Sequence, residues 1–230
     1  MSDEQQTAIN RRSFIKLATT VPVIGAIAAI ASPLLRFLKP NVKKFEIYAP
    51  TAQDVARGEA IPVAALSEVA KPWDFKYFVF TQKYPQYTAE GFKAANIPGV
   101  VIRLPVKLKL YDPATGGGPL SWARGIGKQP KVAESDLIVF SRICPHLGCI
   151  FNYVANYKEV TAGYGGFVPP PNRQHALMAC PCHLSIYDPA DQDRPGRVLS
   201  GPAPRPPRTF LFEIQGEKIV VTDVEPGGIA

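Results

Sequence analysis

Hydrophobic positions follow two different patterns along this chain. Residues 17–35 form 19 consecutive positions without a charge, interrupted among the aliphatics only by Thr19, Thr20, Pro22, Gly25, Ser32 and Pro33. As a helix this stretch would span roughly 28 Å, close to the thickness of a bilayer core. It has no polar face of the kind a surface helix carries, so a membrane-inserted helix over 13–38 is expected. Beyond it the runs become short and strand-like. Residues 75–80 and 100–104 are β-branched or aromatic, 106–111 alternate with a period of two, and 137–140 read as a short buried strand. Residues 210–214 and 218–222 flank Gln215-Gly216-Glu217 as a terminal hairpin. Segments 112–118 and 163–171 are Gly/Pro-rich loops. Only 51–57 and 88–95 suggest helices, both short. The expected fold is mostly β and antiparallel, preceded by one transmembrane helix.

Composition supports this reading. Of the 24 prolines, 22 lie from Pro40 onward, and internal prolines exclude a helical bundle. The 46% hydrophobic content is too high for a disordered chain, and 230 residues suffice for a sizeable core. The formal net charge of +7 is concentrated around the apolar stretch. Residues 1–44 hold seven Lys and Arg against Asp3 and Glu4, whereas the remainder holds 19 basic and 17 acidic groups. No basic stripe is left for nucleic acid, and no nucleic-acid partner is expected.

Asn10-Arg11-Arg12-Ser13-Phe14-Ile15-Lys16 resembles a twin-arginine export signal. Ala29-Ile30-Ala31 before Ser32 offers a signal-peptidase site, but an uncleaved anchor is the favoured reading. The expected organisation is a cytoplasmic terminus over 1–12, an anchor over 13–38, a connector and candidate hinge over 39–44, and an extracytoplasmic domain over 45–230.

All four cysteines and two of the three histidines fall in two boxes, Cys144-Pro145-His146-Leu147-Gly148-Cys149 and Cys180-Pro181-Cys182-His183-Leu184-Ser185. Cys-x-His followed by Cys-x-x-His offers two thiolates and two imidazoles. That set suits tetrahedral Zn²⁺ and equally a [2Fe–2S] cluster with two sulfur and two nitrogen ligands; spacing alone does not choose. One further cysteine accompanies each box. His175 belongs to neither and reads as a loop histidine.

The two boxes strongly resemble those of the Rieske iron–sulfur proteins of cytochrome bc-type complexes, C-T-H-L-G-C and C-P-C-H-G-S. Five of six positions match in each, and the resemblance is close over about 136–204. It implies a Rieske-type antiparallel β-sheet domain with a small cluster-binding part. It implies one [2Fe–2S] cluster held by Cys144 and Cys180 on one iron and by His146 and His183 on the other, with Cys149 and Cys182 disulfide-bonded. By the same resemblance Ser185 donates to a bridging sulfide, Tyr187 hydrogen-bonds a ligand-cysteine sulfur, Leu147 meets the quinone pocket, and Gly201-Pro202-Ala203-Pro204 is the proline loop covering the cluster. Three departures stand out. Pro145 replaces a threonine, and Leu184 replaces a glycine, where a positive φ would strain leucine. The 30 residues between Cys149 and Cys180 exceed the short form, marking 152–174 as an insertion.

The resemblance further implies the Rieske subunit of a quinol:cytochrome c oxidoreductase in a bacterial plasma membrane. Its partners would be a cytochrome b-type subunit with its quinol site and a c-type or equivalent cytochrome as acceptor, with lipid around the N-terminal helix. His183, or His146, would accept the quinol proton, making these the catalytic residues; alone the chain would be an electron carrier. The alternatives are the small Rieske subunit of another exported oxidoreductase such as arsenite oxidase, a Rieske ferredoxin, and a structural zinc module.

Overall fold

The structure, a computed structural model, describes residues 10–16, 18–22, 26, 60–88 and 91–227; for 82–88 and 91–95 only the backbone is described. The chain divides into two units, Met1–Ala49 and Pro50–Ala230.

In the first unit, residues 11–16, 18–22 and 26 are helical and exposed. Asn10 opens the helix, its carbonyl accepting from the Ser13 and Phe14 amides at 2.8 and 3.0 Å. Among the described residues no helix is long and apolar enough to cross a membrane. These helical residues do not support the expected transmembrane helix, and most of 13–38 lies outside the described residues. So do the connector 39–44 and the helix expected over 51–57.

The second unit is mostly β, with three antiparallel sheets. The first has the order β1 (Ile61–Ala65), β10 (Lys218–Val224), β9 (Phe210–Gln215). Gln215 faces Lys218 across a Gly216-Glu217 turn in which Gly216 takes φ +60°, a conformation glycine adopts without steric cost. The second sheet has the order β2 (Phe75–Thr88), β3 (Gly91–Lys109), β4 (Glu134–Ser141). The expected strands 100–104 and 106–111 belong to one continuous β3. Pro105, which lacks an N–H, falls where the pairing with β4 shifts between Arg103 and Leu108. The helix expected over 88–95 is absent: Thr88 pairs with Gly91 and Tyr87 with Phe92 as the tip of the β2–β3 hairpin. Tyr87, Thr88 and Phe92 favour strands, Gly91 disfavours a helix, and cross-strand pairing outweighs so short a helical pattern. Val100, Val101 and Ile102 of β3 are fully buried, as expected of a central strand covered on both faces.

The third sheet has the order β5 (Asn152–Val154), β6 (Leu177–Ala179), β7 (Ile186–Asp188), β8 (Arg197–Ser200); box one leads into it from β4, and box two connects β6 to β7. Its side chains alternate between two cores. Tyr153, Met178 and Tyr187 enter the main core with Phe140, Phe151 and Phe210. Val154, Leu177, Ala179 and Ile186 form a second core with Val160, against which Tyr157, Tyr164, Phe167 and Leu199 pack. This second layer comes from the long segment between the boxes. Asn156 Oδ1 accepts from the Lys158 amide at 3.0 Å to cap α1 (Tyr157–Gly163), and Val160 is the buried side chain of that helix. The expected insertion 152–174 therefore begins with a strand of the sheet, β5, before it leaves to form the covering layer.

Candidate metal centre

The two boxes are the same loop built twice. In box one the Cys144 amide donates to Cys149 O at 2.7 Å and the Gly148 amide to Cys144 O at 3.0 Å. In box two the Cys180 amide donates to Ser185 O at 2.8 Å and the Leu184 amide to Cys180 O at 3.1 Å. Gly148 and Leu184 thus occupy equivalent positions, and both have positive φ, +79° and +61°. Glycine pays nothing for that conformation, whereas leucine is disfavoured there by roughly 1–2 kcal/mol. The sequence expectation of strain at Leu184 is met by the backbone itself.

The structure brings the box residues together. Cys149 and Cys182 are joined by a disulfide with a Cα–Cα distance of 6.5 Å, while Cys144 and Cys180 are free and buried. The rings of His146 and His183 meet edge to face, with centroids 4.7 Å apart and planes at 88°. The Sγ atoms of Cys149, Cys180 and Cys182 lie within 4.8 Å of one another. Two of those sulfurs are committed to the disulfide, so this trio does not make a three-thiolate site. The donors left over are the two buried thiols and the two facing imidazoles.

Their surroundings suit a bound cation. His146 Nδ1 is buried without a hydrogen-bond partner, which is costly unless something else occupies its lone pair or takes its proton. Burial pushes the Cys180 thiol up, and the neighbouring Cys144 adds to the shift; a metal would reverse this and hold both sulfurs as thiolates. Tyr187 OH lies 2.9 Å from Cys144 Sγ. Burial raises the Tyr187 phenol, and the bond to Cys144 raises it further, so Tyr187 keeps its proton to give to that sulfur. Ser185, fully buried, accepts the Ala203 amide at 3.2 Å, and its hydroxyl also neighbours the Tyr187 phenol, partly offsetting the upward shift there.

The segment Gly201-Pro202-Ala203-Pro204 lies against box two. A Cβ on Gly201 (φ +87°) would sit 2.5 Å from Ser185 Cα and 2.7 Å from Leu184 O, so only glycine fits the approach. Leu147 is 64% exposed, and His183 is also exposed. His175 stands apart from the boxes, stacked on Trp73 at 4.8 Å with its Nε2 3.6 Å from Asp188 Oδ1.

Comparison with known proteins finds distant relatives. No protein-family model matches the chain. A cytochrome b6-f complex iron-sulfur subunit from Chlorobaculum tepidum is 27% identical over 125 residues, 50% of this chain and 56% of that protein. A ubiquinol-cytochrome c reductase iron-sulfur subunit from Blastochloris viridis is 24% identical over 92% of this chain and 93% of its own length. A menaquinol:cytochrome c reductase iron-sulfur subunit from Geobacillus thermodenitrificans is 24% identical over 100% of both. The chain thus spans little more than half of the first relative and nearly all of the other two. This chain is similar to the iron–sulfur subunits of cytochrome b6-f and quinol-cytochrome c reductase complexes.

Beside the two boxes lies a charged network that sequence reasoning missed. Asp188, next to Tyr187 on β7, accepts from Arg173 Nη1 at 2.7 Å. Asp191 accepts from Arg173 Nη2 at 2.7 Å and Arg197 Nε at 3.1 Å, and from the Arg194 amide at 2.8 Å. Its members come from the covering layer, β7, β8 and the β7–β8 connection, so no local pattern reveals it. Burial alone would push the Asp191 carboxyl up, but the Arg194 amide and the Arg173 guanidinium outweigh it and hold it below its ordinary value. A depressed carboxyl contributes stability above its unfolded-state value of roughly 4, lost as pH falls through the lower folded value. Asp191→Asn is expected to lower stability at pH 7 by about 2–3 kcal/mol and to flatten the loss between pH 5 and acid. Urea midpoints of both proteins across that range check this; an equal acid loss in the variant would contradict it.

Proposed function

We propose that this chain is the electron-transfer subunit of a membrane quinol:cytochrome c oxidoreductase, with one [2Fe–2S] cluster held by Cys144, His146, Cys180 and His183. The observation that carries the reading is the pairing of two free buried thiols with two facing imidazoles, one presenting a buried Nδ1 without a partner. Relatives that are iron-sulfur subunits of ubiquinol- and menaquinol-oxidising reductases support it. When bound, the cluster would supply a one-electron acceptor whose potential is raised by imidazole in place of thiolate.

The chain's own residues then have separate tasks. If His146 gave its unpartnered Nδ1 to the metal and His183 one of its ring nitrogens, the other nitrogen of either ring would be left to take a quinol proton. His183 is the more exposed of the two and is assigned the quinol-facing role. Leu147 offers an apolar contact to the quinone pocket of a cytochrome b-type subunit. Tyr187 donates to Cys144, Ser185 holds a proton for the cluster, and the loop from Gly201 to Pro204 shields it from water. A c-type or equivalent cytochrome would be the acceptor. The twin-arginine segment, the anchor over 13–38 and the hinge over 39–44 complete the proposal, with the domain on the outer side of a bacterial plasma membrane.

The test is an EPR-monitored redox titration of the full chain at several pH values. A Rieske signal with a positive potential that falls as pH rises is expected. Tyr187→Phe should lower the potential by roughly 60–130 mV, the one-electron equivalent of about 1.5–3 kcal/mol for a hydrogen bond to a charged group. Zinc without iron in the purified chain would refute the electron-transfer role.

A further inference from the structure

Box two differs from box one at the position where a glycine is cheapest. Leu184 takes φ +61° in the place that Gly148 fills at φ +79°. The conformation is disfavoured for leucine by roughly five- to thirtyfold in population, so something must offset it. The side chain points to what does. A Cβ built on Gly165 would meet Leu184 Cδ1 at 2.8 Å, with Leu184 Cγ and Cβ at 3.9 and 4.0 Å and no other atom nearer. Gly165 itself has φ +72°. The two positions are complementary: a leucine, still 38% exposed, where glycine would be easier, and a glycine whose missing side chain leaves room for its Cδ1.

The seat is firm. The Tyr164 amide donates to Val160 O at 2.9 Å, Thr161 Oγ1 donates to Phe167 O at 3.0 Å, and Tyr164 OH accepts from Asn152 Nδ2 at 3.3 Å. Tyr157, Tyr164 and Phe167 are packed on the second core. On the other side of the same residue, the Gly201 approach to Leu184 O and Ser185 Cα holds the backbone.

We propose that Leu184 is a positioning residue, which ties the layer formed by 155–174 to box two and so fixes the loop that bears Cys182 and His183. The long segment between the boxes is then a brace for the site, reached through one side chain. The packing is independent of any metal; its bearing on a cluster rests on the ligand role proposed for His183.

The experiment compares the full-length, metal-loaded chain with Leu184→Gly, Leu184→Ala, Gly165→Ala and Leu184→Gly/Gly165→Ala. Hydrogen exchange over peptides covering 180–186 should quicken about tenfold in Leu184→Gly, with β9 and β10 unchanged. Leu184→Ala removes the contact but keeps a side chain at positive φ, and should quicken exchange at least as much. In equilibrium unfolding, Gly165→Ala should cost about tenfold more in the unfolding constant with Leu184 present than in Leu184→Gly. The EPR spectrum of Leu184→Gly should broaden as the His183 environment becomes heterogeneous, at unchanged iron content. Slower or unchanged exchange in Leu184→Gly would mean that only strain was relieved, and would overturn the proposal, as would additive unfolding effects or an unaltered spectrum. If the wild-type chain carries no iron, the ligand reading fails while the exchange and unfolding results still decide the brace.

Discussion

Replacing Cys149 and Cys182 together by serine is expected to cost the folded chain about 4 kcal/mol. The two cysteines lie 33 positions apart, and closing a loop of that length in the unfolded chain removes entropy of that order. The loss should exceed a simple stability effect, because the bond joins a loop that links the second sheet to the third with a loop inside the third sheet. Box one stands between β4 and β5, box two between β6 and β7. Without the bond, each box keeps its own two backbone hydrogen bonds but loses its covalent tie to the other, so the iron content of the double variant should fall as well. Urea unfolding with and without reductant gives the check. The wild-type midpoint should drop on reduction to that of the variant, and the variant should not respond. A wild-type midpoint indifferent to reductant would contradict the prediction.

Cys180→Ser is the second large change. The thiol is 1% exposed and lies beside Cys144, and serine nearly matches its volume. The β-sheet content by far-UV circular dichroism should stay, while iron and the EPR signal should vanish, since a hydroxyl is a poor ligand beside a thiolate. Cys144→Ser should do the same and in addition deprive Tyr187 OH of its sulfur partner. His175→Ala is the control. It removes the stacking on Trp73 and the approach to Asp188 but should leave the iron in place. Iron retained at full stoichiometry in Cys180→Ser would reject the ligand set.

What was legible in the sequence depended on how local its cause was. The boxes could be read because each is six consecutive residues whose chemistry is in their identities. The longer strands could be read because β-branched and aromatic residues persist over five or more positions, as in 75–80 and 218–222. Strands β5, β6 and β7 have three residues each, too few to show a period. The eight residues over 88–95 looked helical because their partners across the hairpin, and not their own pattern, decide their state. Leucine for glycine at position 184 was visible as a departure, but its contact with Gly165 was not, since 18 residues separate the two. The same holds for the network of Arg173, Asp188, Asp191 and Arg197, which exists only once the covering layer has folded onto the sheet.

The β5–β8 sheet has apolar side chains buried on both of its sides, and this changes what keeps its strands aligned. In a half-exposed sheet, a slip by one residue is penalised because it drives apolar groups into water. Here a one-residue slip of β7 would merely exchange Ile186 and Tyr187 between two buried environments. The penalty instead falls on the polar atoms. The phenol of Tyr187 would leave Cys144 for the second core, and the carboxylate of Asp188 would part from Arg173. The polar groups beside the boxes thus select the alignment of the sheet, so variants at Tyr187 or Asp188 should yield mixed native forms, visible as doubled resonances, before they yield unfolded protein.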